Sequence, residues 1–247
     1  MGLETRGAEN DAVKRPDERA SESEAEGAER RRGFLGFVAH EVRNPLSTAL
    51  WSAELLGRIT AEERGGARGE KLSAMCLRSI GRVRQLVEDH FLCERLDAGG
   101  IAARSDAVSA REAADAALER RPADVGEVAI DVGPSVLLRA DRGLLERALD
   151  ALVAIAGREG TAVHIGSEPA GDAVAIVVSG KAPESSSLED PVKGSPSDPR
   201  GRALALPVVR RIAAALGGEL SVTGGRYVLR LPRPDGDAAR RDPAAHP

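Results

Sequence analysis

From about Arg30 to Ile59 the apolar residues Phe34, Val38, Val42, Leu46, Ala49, Ala53 and Leu56 recur at steps of three and four. The same spacing returns in Leu72, Cys76, Ile80, Val83, Val87 and Phe91. Such spacing gathers apolar side chains on one stripe of a helix. The run Ala61-Glu-Glu-Arg-Gly-Gly-Ala-Arg-Gly69 between the two segments is a glycine-broken turn, and Ala98-Gly99-Gly100 closes the second one. Two long helices joined by a short connection make an antiparallel hairpin. Neither stripe can be covered by one partner helix alone. The hairpin is therefore expected to pair with a second copy, giving a four-helix bundle in a homodimer. Pro45 falls inside the first helix, where it should remove one backbone hydrogen bond and bend the axis.

After Ile101 the pattern changes. Residues 109–121, 141–156 and 203–216 read as helices; 128–132, 136–139, 161–167, 172–178, 220–223 and 226–231 read as strands. Residues 179–200, rich in Gly, Pro, Ser, Asp and Lys, read as a long loop. The expected fold class is α+β: the helical hairpin, then an α/β sandwich with one mixed sheet and helices on one face. The expected divisions are a disordered or frayed segment at 1–27, the hairpin at 28–101, the second domain at 105–232 and a disordered tail at 233–247.

Aromatic residues make up only 2% of the chain, against 42% apolar overall, so the core must be built from Leu, Val, Ile and Ala. The net charge of −4 is spread with both signs interspersed, which argues against a nucleic-acid partner. Cys76 and Cys93 lie inside apolar helical patterns and read as buried thiols; no Cys/His cluster has metal-ligand spacing. No apolar run approaches the ~20 residues of a membrane span, and the N-terminus has no signal core, so a cytoplasmic location is expected.

The chemistry is concentrated in Phe37-Val-Ala-His40-Glu41-Val-Arg43-Asn44-Pro45-Leu46-Ser47. On a helix His40 and Asn44 share a face, and Glu41 is the next residue round. With Val38, Val42 and Leu46 facing the core, His40 is expected to point outward. An exposed imidazole beside a carboxylate is a good phosphoryl acceptor, because its free nitrogen is nucleophilic near neutral pH and the carboxylate can orient the ring and take its proton. A surface histidine alone would mean nothing. Here it sits in one run with Glu, Arg, Asn and a helix-interior Pro that costs roughly 3 kcal/mol, and costly local features tend to mark function.

The run His40 to Ser47 resembles the phosphoacceptor box of sensor histidine kinases, and Leu86-Val-Glu-Asp-His-Phe-Leu-Cys-Glu-Arg-Leu-Asp-Ala-Gly99 resembles the end of their dimerisation domain. The resemblance extends over roughly residues 30–232 and implies a degenerate ATP-lobe-like second domain. It implies that His40 is the phosphoacceptor, that Glu41 is the general base and that Asn44 orients a water or an acyl phosphate during dephosphorylation. Arg43 and Pro45 would be supports.

The resemblance breaks at the nucleotide. Ala151 and Ile155 stand where working members carry asparagines for Mg²⁺, and neither offers the oxygen that this hard cation needs. Val178 stands at the adenine-binding Asp, with Gly180 the surviving glycine of that run. In the phosphate turn that starts at Gly201, two glycines are replaced by alanine, one of them Ala203. The only asparagines in the chain are Asn10 and Asn44, so no realignment supplies one. The expectation is a histidine phosphotransferase that binds no ATP or metal of its own. It would exchange phosphoryl groups between His40 and response-regulator receiver domains, which supply the Mg²⁺. Two alternatives are a sensor kinase with a divergent ATP site and a non-catalytic pseudokinase scaffold. His90 reads as a packed or surface residue, His164 as a strand-face residue and Trp51 as a packing residue.

Overall fold

The computed structural model describes residues 16–182 and 204–234, with side chains from residue 32 onward. Helix α1 (Pro16–Arg58) runs 43 residues with Pro45 inside it, and α3 (Ala67–Asp97) runs 31 residues back along it. Residues 16–27, expected to be disordered or frayed, belong to α1. Residues 1–15, the loop 183–203 and the tail from 235 lie outside the described residues.

The connection is more ordered than its glycines suggest. Thr60 and Glu63 form a reciprocal capping box that starts a single turn, α2 (Ala61–Arg64). The Arg64 side chain donates back to the Ile59 carbonyl at 3.2 Å and the Leu56 carbonyl at 3.1 Å, which closes the end of α1.

The stripe that α1 buries against α3 differs from the expected one. It consists of Phe34, Val38, Glu41, Ala49, Ser52 and Ile59, while Leu46 is exposed. On α3 the buried residues include Leu72, Ser79, Leu86, Asp89 and Cys93, whereas Ile80, Val87 and Phe91 are exposed. Each helix therefore carries two apolar stripes, an inner one and an outer one. With about 100° between successive residues, the outer stripe of α1 lies a third of a turn round from the inner one.

The second domain contains α4 (Ala110–Glu119), α5 (Arg142–Ala156) and α6 (Ala205–Ala215). Its main sheet has five strands in the order β2 (Val128–Asp131), β4 (Val163–Ala170), β5 (Ala173–Ser179), β7 (Arg226–Pro232), β6 (Glu219–Thr223). Only β2–β4 is parallel. A second sheet, not foreseen, pairs β1 (Asp106–Ser109) with β3 (Leu137–Ala140). Ile165, Ile176, Val178, Tyr227, Leu229 and Leu231 are almost wholly buried, in one core with Leu145, Leu149 and Leu152 of α5 and Val208, Val209 and Ile212 of α6. Asp141 caps α5 through the Leu144 amide and also accepts from the Arg104 amide at 3.2 Å, which ties the interdomain linker to the lobe.

The two domains share one continuous core. Phe34, Val38, Leu86 and Cys93 of the hairpin belong to the same cluster as the lobe's interior. Among the described residues, no helix is long and apolar enough to cross a membrane.

Candidate phosphoacceptor site

Helix α1 positions the site. The His40 side chain is 60% exposed, whereas Glu41, one residue on, is 2% exposed. The two still meet: His40 Nδ1 lies 3.4 Å from Glu41 Oε1. In the tautomer that carries its proton on Nδ1, facing that carboxylate, Nε2 is the nitrogen with the free lone pair. The other carboxylate oxygen, Oε2, is buried and has no hydrogen-bond partner among the described residues. Glu41 is thus a buried carboxylate in contact with an exposed imidazole.

Asn44 and Arg43 are exposed, and Asn44 shares the His40 face. The Asn44 carbonyl accepts from Thr48 Oγ1 at 3.1 Å. Pro45 has no N–H, so the backbone carbonyl of Glu41, four residues earlier, lacks its usual helical donor. The missing bond falls at the very residue whose side chain buries a carboxylate. Further along the same face Trp51 is 54% exposed, so among the described residues it is not the packing residue expected.

The lobe positions behave differently. Ala151 and Ile155 are both buried on α5, within the apolar core. Val178 is fully buried in β5, opposite Ile165 on one side and Tyr227 on the other. Gly180 has a packing reason to be glycine, since a Cβ there would meet the Ala156 carbonyl oxygen at 2.6 Å. The segment after β5 is tied down. The Gly180 amide donates to Gly225 O at 2.8 Å, the Lys181 amide to Ala156 O at 2.7 Å, Tyr227 OH to Lys181 O at 2.8 Å and Arg158 to Ala182 O at 2.7 Å. Gly201 and Ala203 lie outside the described residues. Among the described residues, Ala151, Ile155 and Val178, which the resemblance aligns with the Mg²⁺ and adenine positions, present apolar side chains to an apolar core and offer no side-chain oxygen.

Residues 30–99 match the family model of the His Kinase A (phospho-acceptor) domain. The hairpin is a histidine kinase phospho-acceptor domain. The phospho-acceptor hairpin and its lobe together share the fold of Acinetobacter baumannii histidine kinase AdeS, at 18% identity and a TM-score of 0.59 over 79% of this chain and 98% of that one. The mycobacterial sensor histidine kinase MprB matches at 21% identity and a TM-score of 0.42, over 53% of this chain and 99% of its own. A histidine kinase from Burkholderia phymatum STM815 matches at 19% identity and a TM-score of 0.41, over 88% and 99%. No curated protein matches the sequence.

Sequence reasoning missed the residues that join the two domains. Asp89 makes a buried ion pair with Arg147 of α5. Arg211 of α6 donates from Nε to both Asp97 oxygens, at 2.8 and 2.9 Å, and its guanidinium lies 5.2 Å from the Phe34 ring centroid. The available signal was a pair of aspartates flanking Cys93 at four-residue spacing, and Arg147 amid the apolar residues of α5.

Proposed function

We propose that the chain is a cytoplasmic two-component phosphotransfer protein that exchanges a phosphoryl group between His40 and receiver-domain aspartates without binding ATP itself. The reading is carried by the contrast between an acceptor with nucleophile and carboxylate in contact and a lobe whose nucleotide-gripping positions are packed with apolar side chains. In the forward step the Nε2 lone pair attacks the phosphorus of an aspartyl phosphate. The N–P bond forms, the P–O bond to the aspartate breaks, and the receiver's carboxylate leaves. Glu41 holds the Nδ1 proton and stabilises the positive charge that develops on the ring. The reverse step passes the group to a second receiver. The magnesium of such a transfer belongs to the receiver. Exposed Asn44 is placed to orient the acyl phosphate or a water.

A homodimer follows from the outer stripes. Leu35, Leu46 and Leu50 of α1 and Leu77, Ile80 and Phe91 of α3 are large, apolar and exposed in the single chain. Joining these faces from two copies closes a four-helix bundle.

The test of the ATP-independent reading is a titration with Mg·ATP. The expected result is no saturable binding and no label on His40 from γ-labelled ATP. Self-phosphorylation of His40 would establish the chain as a kinase with a divergent site instead. Signalling that survives His40→Ala and fails on disruption of the bundle would establish a scaffold.

A further inference from the structure

The junction between hairpin and lobe has the construction of a fixed interface. Helix α3 offers two carboxylates on one face, Asp89 and Asp97, with Cys93 fully buried between them. Each of the two lobe helices that touch this face supplies one arginine. Arg147 of α5 pairs with Asp89, which is 4% exposed and also accepts from Gln85. Arg211 of α6 pairs with Asp97, donates to the Pro207 carbonyl at 3.3 Å and covers the Phe34 ring. Phe34 in turn lies against His90, ring centroids 5.6 Å apart, so α1, α3 and α6 meet at one point. A charge buried this deeply is tolerated only while its partner stays in place. Lifting the lobe away would separate both ion pairs, uncover Phe34 and Cys93 and open the shared core.

We propose that Arg147 and Arg211 form a two-point latch that holds the lobe stationary on the hairpin, next to the segment of α1 that leads into His40. The latch deepens the phosphotransfer reading: a lobe that delivers no nucleotide phosphate has no need to travel to the acceptor. Phe34 lies six residues before His40 on the same helix, so the latched lobe also braces α1 on that side of the acceptor. A receiver approaching His40 therefore has its open ground on the opposite side, over Asn44, Ser47 and Trp51, which are all exposed.

The chain carries its own reporter. Cys76→Ser leaves Cys93 as the single thiol, and Cys93 is accessible only when the interface opens. The experiment measures Cys93 labelling by a thiol-exchanging disulfide reagent at pH 8, in the full chain, with no receiver or nucleotide present. It therefore stands or falls separately from the phosphotransfer reading. The latch predicts labelling at least a hundredfold slower than in the urea-unfolded chain. Arg147→Ala and Arg211→Ala should each speed it at least tenfold, with unchanged helix content and a larger radius of gyration by X-ray scattering. Asp89→Asn should change the rate less than threefold, because the amide oxygen still accepts from Arg147, whose charge is only partly buried. Should Arg147→Ala lose helix content, Arg211→Ala, at a more exposed pair, decides by the same tenfold criterion. Parent-like labelling in folded Arg211→Ala, or rapid labelling of the parent itself, overturns the latch.

Discussion

Glu41 pulls stability and function in opposite directions, and Glu41→Gln separates them. One carboxylate oxygen faces His40 Nδ1 at 3.4 Å; the other is buried without a partner among the described residues, in a side chain only 2% exposed. A partnerless buried polar atom costs about 1–3 kcal/mol, more when charged. Replacing the carboxylate by a neutral amide of the same shape removes the charge from that position. The expected gain is about 1–2 kcal/mol in unfolding free energy, read as a higher urea midpoint at unchanged m value. The same substitution removes the charge that orients the imidazole and balances its developing positive charge. Phosphoryl transfer to His40 should slow by about 10²–10⁴, the usual contribution of a positioned acid–base group. The assay pairs urea unfolding with the rate of label transfer from a phosphorylated receiver. A variant that is less stable than the parent would refute the argument from burial. A variant that transfers at the parental rate would refute the role given to the carboxylate.

Three further outcomes are expected. Arg147→Ala should cost about 3–5 kcal/mol by leaving Asp89 charged, buried and unpaired, while Asp89→Asn should stay within about 1 kcal/mol of the parent. Urea midpoints check both. Desolvation raises the Asp89 pKa and Arg147 only partly offsets it, so this group's contribution falls as pH rises through its folded value. That fall should be steeper in Arg147→Ala. Burial pushes the Cys93 thiol and the Tyr227 hydroxyl each up to about 12, so both keep their protons in the folded state at pH values where the unfolded chain has lost them. Stability should drop as pH rises from about 9 toward 12, by about 4 kcal/mol from Cys93 alone, and Cys93→Ala should flatten that limb of a melting-temperature profile. Trp51, the single tryptophan, should change its fluorescence when a receiver binds; Trp51→Ala should weaken that binding about 10–100-fold and leave dimerisation intact.

The hairpin, most strands and the outward histidine were legible because they rest on local periodicity and turn chemistry. Val42 packs against the core as expected, and the misplacement of Leu46 has a physical cause. A helix that packs against one partner within the chain and presents a second apolar face carries two stripes, and their union reads as one stripe centred between them. The burial of Glu41 is not legible in the sequence, because a lone carboxylate inside an apolar bundle contradicts the pattern rule, and functional sites are where that rule fails. Strand β1 escaped notice because only Val108 of its four residues is buried and its partner β3 is distant in sequence. The Asp89–Arg147 and Asp97–Arg211 pairs join residues 58 and 114 positions apart, a distance at which no local pattern carries information. Gly180 was attributed to nucleotide binding, while its closeness to Ala156 gives it a packing reason that no pattern of residues displays.

The most direct test of the account is label transfer from a phosphorylated receiver domain, in the absence of ATP, to the full chain and to His40→Gln. The account predicts an acid-labile, alkali-stable phosphoryl label on the parent chain and none on His40→Gln. Label on the variant, or no label on the parent from any receiver while Mg·ATP labels it readily, would contradict it.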